Sequence, residues 1–363
     1  MYSFEPTEEQ KMLIDAIKRF AVSDLRNISH EAEEQSSLPV EVVEKGWELG
    51  VLQCSVPEEF GGFGEHSAVT GVLAAEEMAW GDMAGTLAVM NPGLFALPIM
   101  LVGNSEQKAR YLPDICGSDW MPFTAALIEP DFDFDPNDLR TTATRAGGGF
   151  VLNGTKTYVP YAEESEGIIV YASLDGSTQG FFLARNTAGV HVGEQMQIMG
   201  INALPLYRID LDSVEIPPED RLGGTEGHDF EPILVSMRVA MAAVAVGISR
   251  AALEYAVDYA KDREVFGVKV AQKQAIAFML AEMATEIEAI RLLNWEAAWM
   301  LDAGKEDAGK QAYLALTGAA DMAMQVTDRA VQVLGGHGYI REHPVELWMR
   351  NGRGIAMPKR EGA

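Results

Sequence analysis

Gly304-Lys305-Glu306-Asp307-Ala308-Gly309-Lys310 has the glycine and lysine spacing of a loop that cradles phosphate on its backbone N–H groups. Two features argue against that chemistry. Gln311 stands where a metal-binding Ser or Thr is needed, and no strand pattern leads into the segment. It reads instead as a helix connector. Other reactive arrangements are missing. No Gly-x-Gly-x-x-Gly follows a strand to seat a dinucleotide, and there is neither a Gly-x-Ser-x-Gly elbow nor a His-Glu-x-x-His helix. The six histidines are scattered, and His337 and His343 are at neither i,i+3 nor i,i+4 spacing. Cys54 and Cys116 lack zinc-site spacing too, so no metal site is expected. Glu76 and Glu77 lie beside an Ala/Met-rich face and read as solvated helix charges.

Any site must be positioned by three zones of different pattern. Residues 1–117 read as helical. Thr7 with Gln10 three residues on is a capping-box signature, and Leu13, Ile14, Ile17 and Phe20 recur at helical spacing. Pro39, Gly61-Gly62, Pro92 and Pro98 cut this zone into short helices. Residues 118–228 read as strands. Gly147-Gly148-Gly149 marks a turn, and Phe150–Leu152, Thr157–Val159, Gly167–Tyr171 and Gly180–Leu183 follow as strand candidates, which predicts an antiparallel barrel or sandwich. Residues 229–363 hold three long periodic segments, Pro232–Arg263, Ala271–Asp302 and Asp307–Leu334. Each would be roughly 45 Å long, and short connectors make them antiparallel neighbours in a bundle.

Asp and Glu number 54 against 28 Lys and Arg, a net charge of −26, with a pI near 4.5. Such a field repels nucleic-acid phosphates and anionic lipid, which sets aside a DNA, RNA or membrane-surface role. Two cysteines give no disulfide framework. The opening MYSFEPTEEQ lacks signal-peptide regions, and the most apolar stretch, Val239–Ile248, is about half the length that spans a bilayer. A globular cytoplasmic protein is the expectation.

Six separated segments, in order along nearly the whole chain, resemble the acyl-CoA dehydrogenase family of flavoproteins. They are Pro57-Glu58-Glu59-Phe60-Gly61-Gly62, Glu129-Pro130, Leu152-Asn153-Gly154-Thr155-Lys156, Asp262-Arg263-Glu264-Val265-Phe266-Gly267, Gln332–Tyr339, and His343-Pro344-Val345-Glu346 with Met349-Arg350. The resemblance implies an α+β fold: an N-terminal helical domain, a central antiparallel β domain and a C-terminal four-helix bundle. It implies FAD lying between β domain and bundle and reaching into a neighbouring subunit, usually of a homotetramer or dimer. A glutamate removes the α-proton of an acyl-CoA while hydride passes to the flavin, and an electron-transfer flavoprotein takes the electrons.

By the same resemblance Arg263, Phe266, Gln274, Gln332, Gly335 and Gly336 would hold the AMP and pyrophosphate of FAD. Arg238 would meet CoA. The ring end departs from the family pattern. Ile128 replaces a threonine hydroxyl, Phe134 replaces a serine near the acyl-CoA, and Tyr158-Val159-Pro160 loses a second hydroxyl. Asp131, Asp133 and Asp135 place three like charges where a polyanionic ligand would pass. The usual base position, aligned without a gap, is Lys359 after Pro358; Glu361-Gly362 fits if the loop slides by two residues, and the minority base position is Met237. Four readings follow. The chain is an active dehydrogenase with Glu361 as base; or a base-deficient subunit of a hetero-oligomer with a glutamate-bearing family member, which accounts for which half is kept. Alternatively it is a relative with other chemistry, such as a sulfinate-eliminating acyl-CoA enzyme, or a non-catalytic CoA-binding or assembly protein.

Overall fold

A computed structural model describes residues 5–64 and 66–355. The chain opens with α1 (Glu8–Phe20), α2 (Arg26–Gln35), α3 (Val40–Trp47), α4 (Ala68–Gly81), α5 (Met83–Val89), α6 (Gly93–Val102) and α7 (Ser105–Ile115). Thr7 caps α1 by accepting from the Gln10 N–H while the Gln10 side chain accepts from the Thr7 N–H, so the capping box forms as expected.

Strands β1 (Phe123–Ala126), β2 (Thr142–Ala146), β3 (Gly149–Pro160), β4 (Gly167–Leu174), β5 (Ser177–Leu183), β6 (Val190–Val192) and β7 (Leu206–Ile216) form one curled sheet in the order β1-β4-β2-β3-β7-β6, with β5 on β4. Most pairs are antiparallel, but β4 runs parallel to both β1 and β2. The stretches Phe150–Leu152 and Thr157–Val159 belong to one strand rather than two. β3 pairs with β7 throughout, crossing two register shifts. Gly147 and Gly148 take φ of 60° and 90°, the left-handed geometry of the β2–β3 hairpin turn.

Helix α8 (Glu231–Asp262), a two-residue hairpin β8–β9 (Glu264–Val265, Val268–Lys269), α9 (Gln274–Asp302), α10 (Ala308–Leu334) and α11 (Val345–Ile355) complete the fold. The Gly304–Lys310 segment connects α9 to α10, as its sequence suggests. Small residues let the helices approach closely. A Cβ on Gly247 of α8 would sit 2.3 Å from the Glu76 carbonyl of α4. Val239–Ile248 forms part of a 32-residue helix, whose most apolar 18-residue window has a mean hydropathy of 1.8. That helix is long and apolar enough to cross a membrane, yet 72% of the window is buried inside the protein.

The expectation for Glu76 and Glu77 is overturned. Both are buried, and Arg250 Nη1 lies 2.7 Å from a carboxylate oxygen of each. Arg291 Nε adds a contact 2.8 Å from Glu76. Burial raises the Glu76 carboxyl above the ordinary range, opposed by Arg291 and Arg250. A charge beside small apolar residues looks solvated when its partners are far away in sequence. Here these partners come from α8 and α9, and they tie α4 to the bundle.

Candidate cofactor and substrate site

Two regions carry the expected site residues. The first is one end of the bundle, where α8 and α10 finish and α9 begins. Tyr259 of α8 joins the two helix ends, its hydroxyl 3.0 Å from His337 Nδ1 and 3.5 Å from the Leu334 carbonyl. One turn earlier, Tyr255 Oη lies 2.7 Å from His343 Nδ1, and the His337 and His343 rings stack with centroids 5.3 Å apart. Burial lowers the His343 imidazole, with His337 adding to the effect. These two tyrosines and two histidines brace the glycine corner at Gly335. Sequence reasoning gave these four no bracing role, although Tyr255 and Tyr259 are spaced for one helix face and precede Arg263 by two turns and one turn.

Gly335 ends α10 at φ 59°, ψ −127°, a conformation that side-chain-bearing residues avoid. A Cβ added at Gly335 or Gly336 would meet no heavy atom within 4 Å. Arg263 is exposed, and no ion pair engages it among the described residues. Gln274, Gln332, Gly335 and Gly336 are exposed as well. Phe266 is 93% exposed. It shares the β8–β9 turn with Gly267, at φ of 57° and 77°. A phenylalanine at positive φ is a strained placement that persists where the surroundings impose it. An exposed guanidinium and open glycine backbone at the same end of the bundle, on a chain of net charge −26, have the chemistry to take the phosphates of a dinucleotide.

The second region is the β-domain wall. Ile128 is partly buried, and its carbonyl accepts from the Thr157 N–H at 2.9 Å. Between Lys156 and Val159 β3 advances one residue more than β7, and Tyr158 in this bulge takes φ 52°. Pro160 is buried and has neither a hydroxyl nor an N–H to offer. Beneath this wall Lys156 Nζ lies 2.8 Å from Glu129 Oε1, with the side chains 0% and 3% exposed. Burial would raise the Glu129 carboxyl, but the Lys156 charge and donors from Lys156, Thr141 and Arg140 hold it below the usual range. Burial pushes the Lys156 amine down to about 8, against the pull of Glu129.

Phe134 and Met237 both pack against the core shared by the N-terminal helices, the β domain and the start of α8. The three aspartates near Phe134 do not form the unrelieved repulsive patch expected from their spacing. Arg140 pairs with Asp131 and, at 3.0 Å, with Asp133. Asp135 accepts from the Asn137 N–H at 2.8 Å. Arg238 is buried, its guanidinium 3.9 Å from Glu231 and over the Tyr313 ring at 5.4 Å. Arg238 and Arg263 stand at opposite ends of α8, about 37 Å apart at 1.5 Å per residue. The structure therefore gathers Arg263, Phe266, Gln274, Gln332, Gly335 and Gly336 at one end, and keeps Arg238 away from them. Pro358, Lys359, Glu361 and Gly362 lie outside the described residues.

A helical lead, a curled sheet and a long-helix bundle give the chain a helix–β–helix build. Three family models match in succession. The acyl-CoA dehydrogenase N-terminal domain covers residues 7–119, the middle domain 124–214 and the C-terminal domain 231–358. An acyl-CoA dehydrogenase of Bacillus subtilis (strain 168) is 34% identical over 357 residues, 96% of this chain and 93% of that protein. Caffeyl-CoA reductase-Etf complex subunit CarC of Acetobacterium woodii is 33% identical over 359 residues, 96% of this chain and 93% of its own length. The solved FAD complex of PigA superposes with a TM-score of 0.90 at 25% identity, covering 99% of this chain and 95% of that one. The chain belongs to the acyl-CoA dehydrogenase family. Its cofactor is FAD, and the family match supports acyl-CoA dehydrogenation as its chemistry.

Proposed function

We propose that this chain dehydrogenates an acyl-CoA at the α,β-bond as the FAD-gripping, base-deficient member of a hetero-oligomer whose partner carries the glutamate. One contrast carries the reading. The dinucleotide corner is complete, whereas Met237, at one of the two base positions, is an apolar side chain packed on the core. At the other position the ungapped residue is Lys359, whose ordinary amine is cationic at neutral pH and cannot accept a proton. Loss of a positioned base typically costs about 10² to 10⁴ in rate.

FAD, when bound, supplies the hydride acceptor. The chain's own residues do the holding. Arg263 offers a bidentate fork to a phosphate, Gly335 and Gly336 let backbone approach it, and Phe266, Gln274 and Gln332 flank the nucleotide. Ile128, Tyr158 and Pro160 back the ring, while Phe134 and Arg238 face the acyl-CoA. A partner subunit is supported by the open corner and by exposed apolar groups on the same helices, Phe278, Leu292 and Leu314. A homotetramer or homodimer is the competing assembly. An electron-transfer flavoprotein as electron acceptor is supported by the Acetobacterium relative, a subunit of a caffeyl-CoA reductase-Etf complex. On this reading residues 1–117, 118–228 and 229–363 are the three domains, and the protein works in the cytoplasm, in keeping with its acidic surface and inward-packed α8.

The test is a visible spectrum of the chain alone and co-expressed with a glutamate-bearing family member. The expected result is acyl-CoA bleaching of FAD only in the pair. Bleaching by the chain alone, abolished in Glu361→Gln, would instead make Glu361 the base of a self-sufficient enzyme.

A further inference from the structure

We propose that Lys156 and Glu129 are positioning residues that pre-set the backbone wall against which the flavin ring rests. The inference deepens the FAD-binding reading above and rests on it. The pair's hydrogen bonds to backbone end on the loop that bears Ile128. Lys156 Nζ donates to the Leu127 carbonyl at 3.0 Å and to Glu129 Oε1 at 2.8 Å. The two Glu129 oxygens accept from the Thr141 and Arg140 N–H groups, each at 2.8 Å. Ile128 is thus pinned on three counts: its predecessor by Lys156, its successor by Glu129's own anchoring, and its own carbonyl by Thr157.

Lys156 is also the last regularly paired residue before the bulge that carries Tyr158. One buried ion pair therefore controls both edges of the wall. Apolar residues could fill that space at equal or lower cost, so a fully buried pair calls for a role in specificity. Such a role has particular force in this chain. With isoleucine at 128 and proline at 160, no side-chain hydroxyl at those positions can correct a misplaced ring. Backbone placement must supply what those hydroxyls would have given.

The experiment uses the holo chain, or the holo complex if FAD requires the partner. Lys156→Met and Glu129→Gln are compared with Arg250→Met, which breaks a buried ion network away from the wall. Bound-flavin reduction potential, FAD affinity and thermal midpoint are measured for each. The two wall variants are expected to change the ratio of reduced to oxidised FAD affinity by at least tenfold, about 30 mV for a two-electron couple. Arg250→Met is expected to lower the midpoint with no such shift. Unchanged potential and affinity in a wall variant, or an equal shift in Arg250→Met, would overturn the proposal.

Hydrogen exchange in the wild type tests it even if the variants do not fold. The Thr157 amide should be protected before FAD is added. Protection that arises only on FAD binding would show that the wall is not pre-set. Failure of wild type to take FAD under any pairing would remove the FAD-binding reading as well, whereas FAD binding with indifferent wall variants removes only this one.

Discussion

At the bundle end Arg263 and the Gly335-Gly336 pair are exposed, whereas under the β-domain wall Lys156 is wholly buried against Glu129. Both are cations that we propose serve FAD, but they do different work. An exposed guanidinium contributes little to folding and is available to an incoming phosphate. A buried ammonium has its hydrogen bonds committed inside the fold and shapes the backbone instead. The contrast separates grip from placement. Family-like residues persist at the bundle corner, whereas at the β-domain wall Ile128 and Pro160 carry no hydroxyl and the ion pair behind them remains.

Four measurements would break or sharpen this contrast. The largest effect is on stability. Lys156→Met leaves Glu129 without its buried partner and should cost about 3–5 kcal/mol by denaturant titration, while Arg263→Gln should fall within about 0.5 kcal/mol of wild type. Equal losses would erase the distinction. The second is on binding. Arg263→Gln should weaken FAD by about tenfold to a hundredfold in a fluorescence titration, the ~1.5–3 kcal/mol of a hydrogen bond to a charged group. An unchanged affinity would mean that the corner does not grip.

Third, Gly335→Ala should lower stability by about 1–2 kcal/mol through backbone strain alone, since the added methyl meets no neighbour. A neutral result in thermal melts would show the corner free to relax. The finest test is pH. The Glu129 carboxyl lies below its ordinary 4.5 because Lys156 and three hydrogen bonds outweigh burial. Its stabilisation is therefore complete above the unfolded-state value and is lost as pH falls through the lower native one. The gap in melting temperature between wild type and Glu129→Gln should be full at neutral pH and close only below the ordinary carboxylate range. A gap that closes well above that range would mean that the carboxylate is not held by its partners.

Much of the architecture was legible from local pattern. The three long periodic segments begin and end within a few residues of α8, α9 and α10, because helix period and Gly-containing connectors act over short range. The Gly147–Gly149 turn was readable for the same reason. The strands β1, β2, β6 and β7 were not. They are short or polar, and β7 gains its identity by pairing with β3. The corner residues were recognisable as a family pattern, yet the Tyr–His brace behind them was not, since Tyr255 and Tyr259 reach His343 and His337 only once α8 packs against the segment after α10.

The amino-acid order alone settled the succession of helical, strand and helical zones and the net negative charge, which follow from composition and from spacing within a few turns. Arg263 and the Gly335-Gly336 pair stood out only through the family resemblance. Tertiary structure decided which charges are buried. Glu76 and Glu77 looked solvated until Arg250 and Arg291 arrived from α8 and α9, and Lys156 took its meaning from Glu129 across the sheet. The physical reason is that desolvating a charge is tolerable only when a partner is delivered to it, and the fold, by bringing distant segments into contact, delivers that partner.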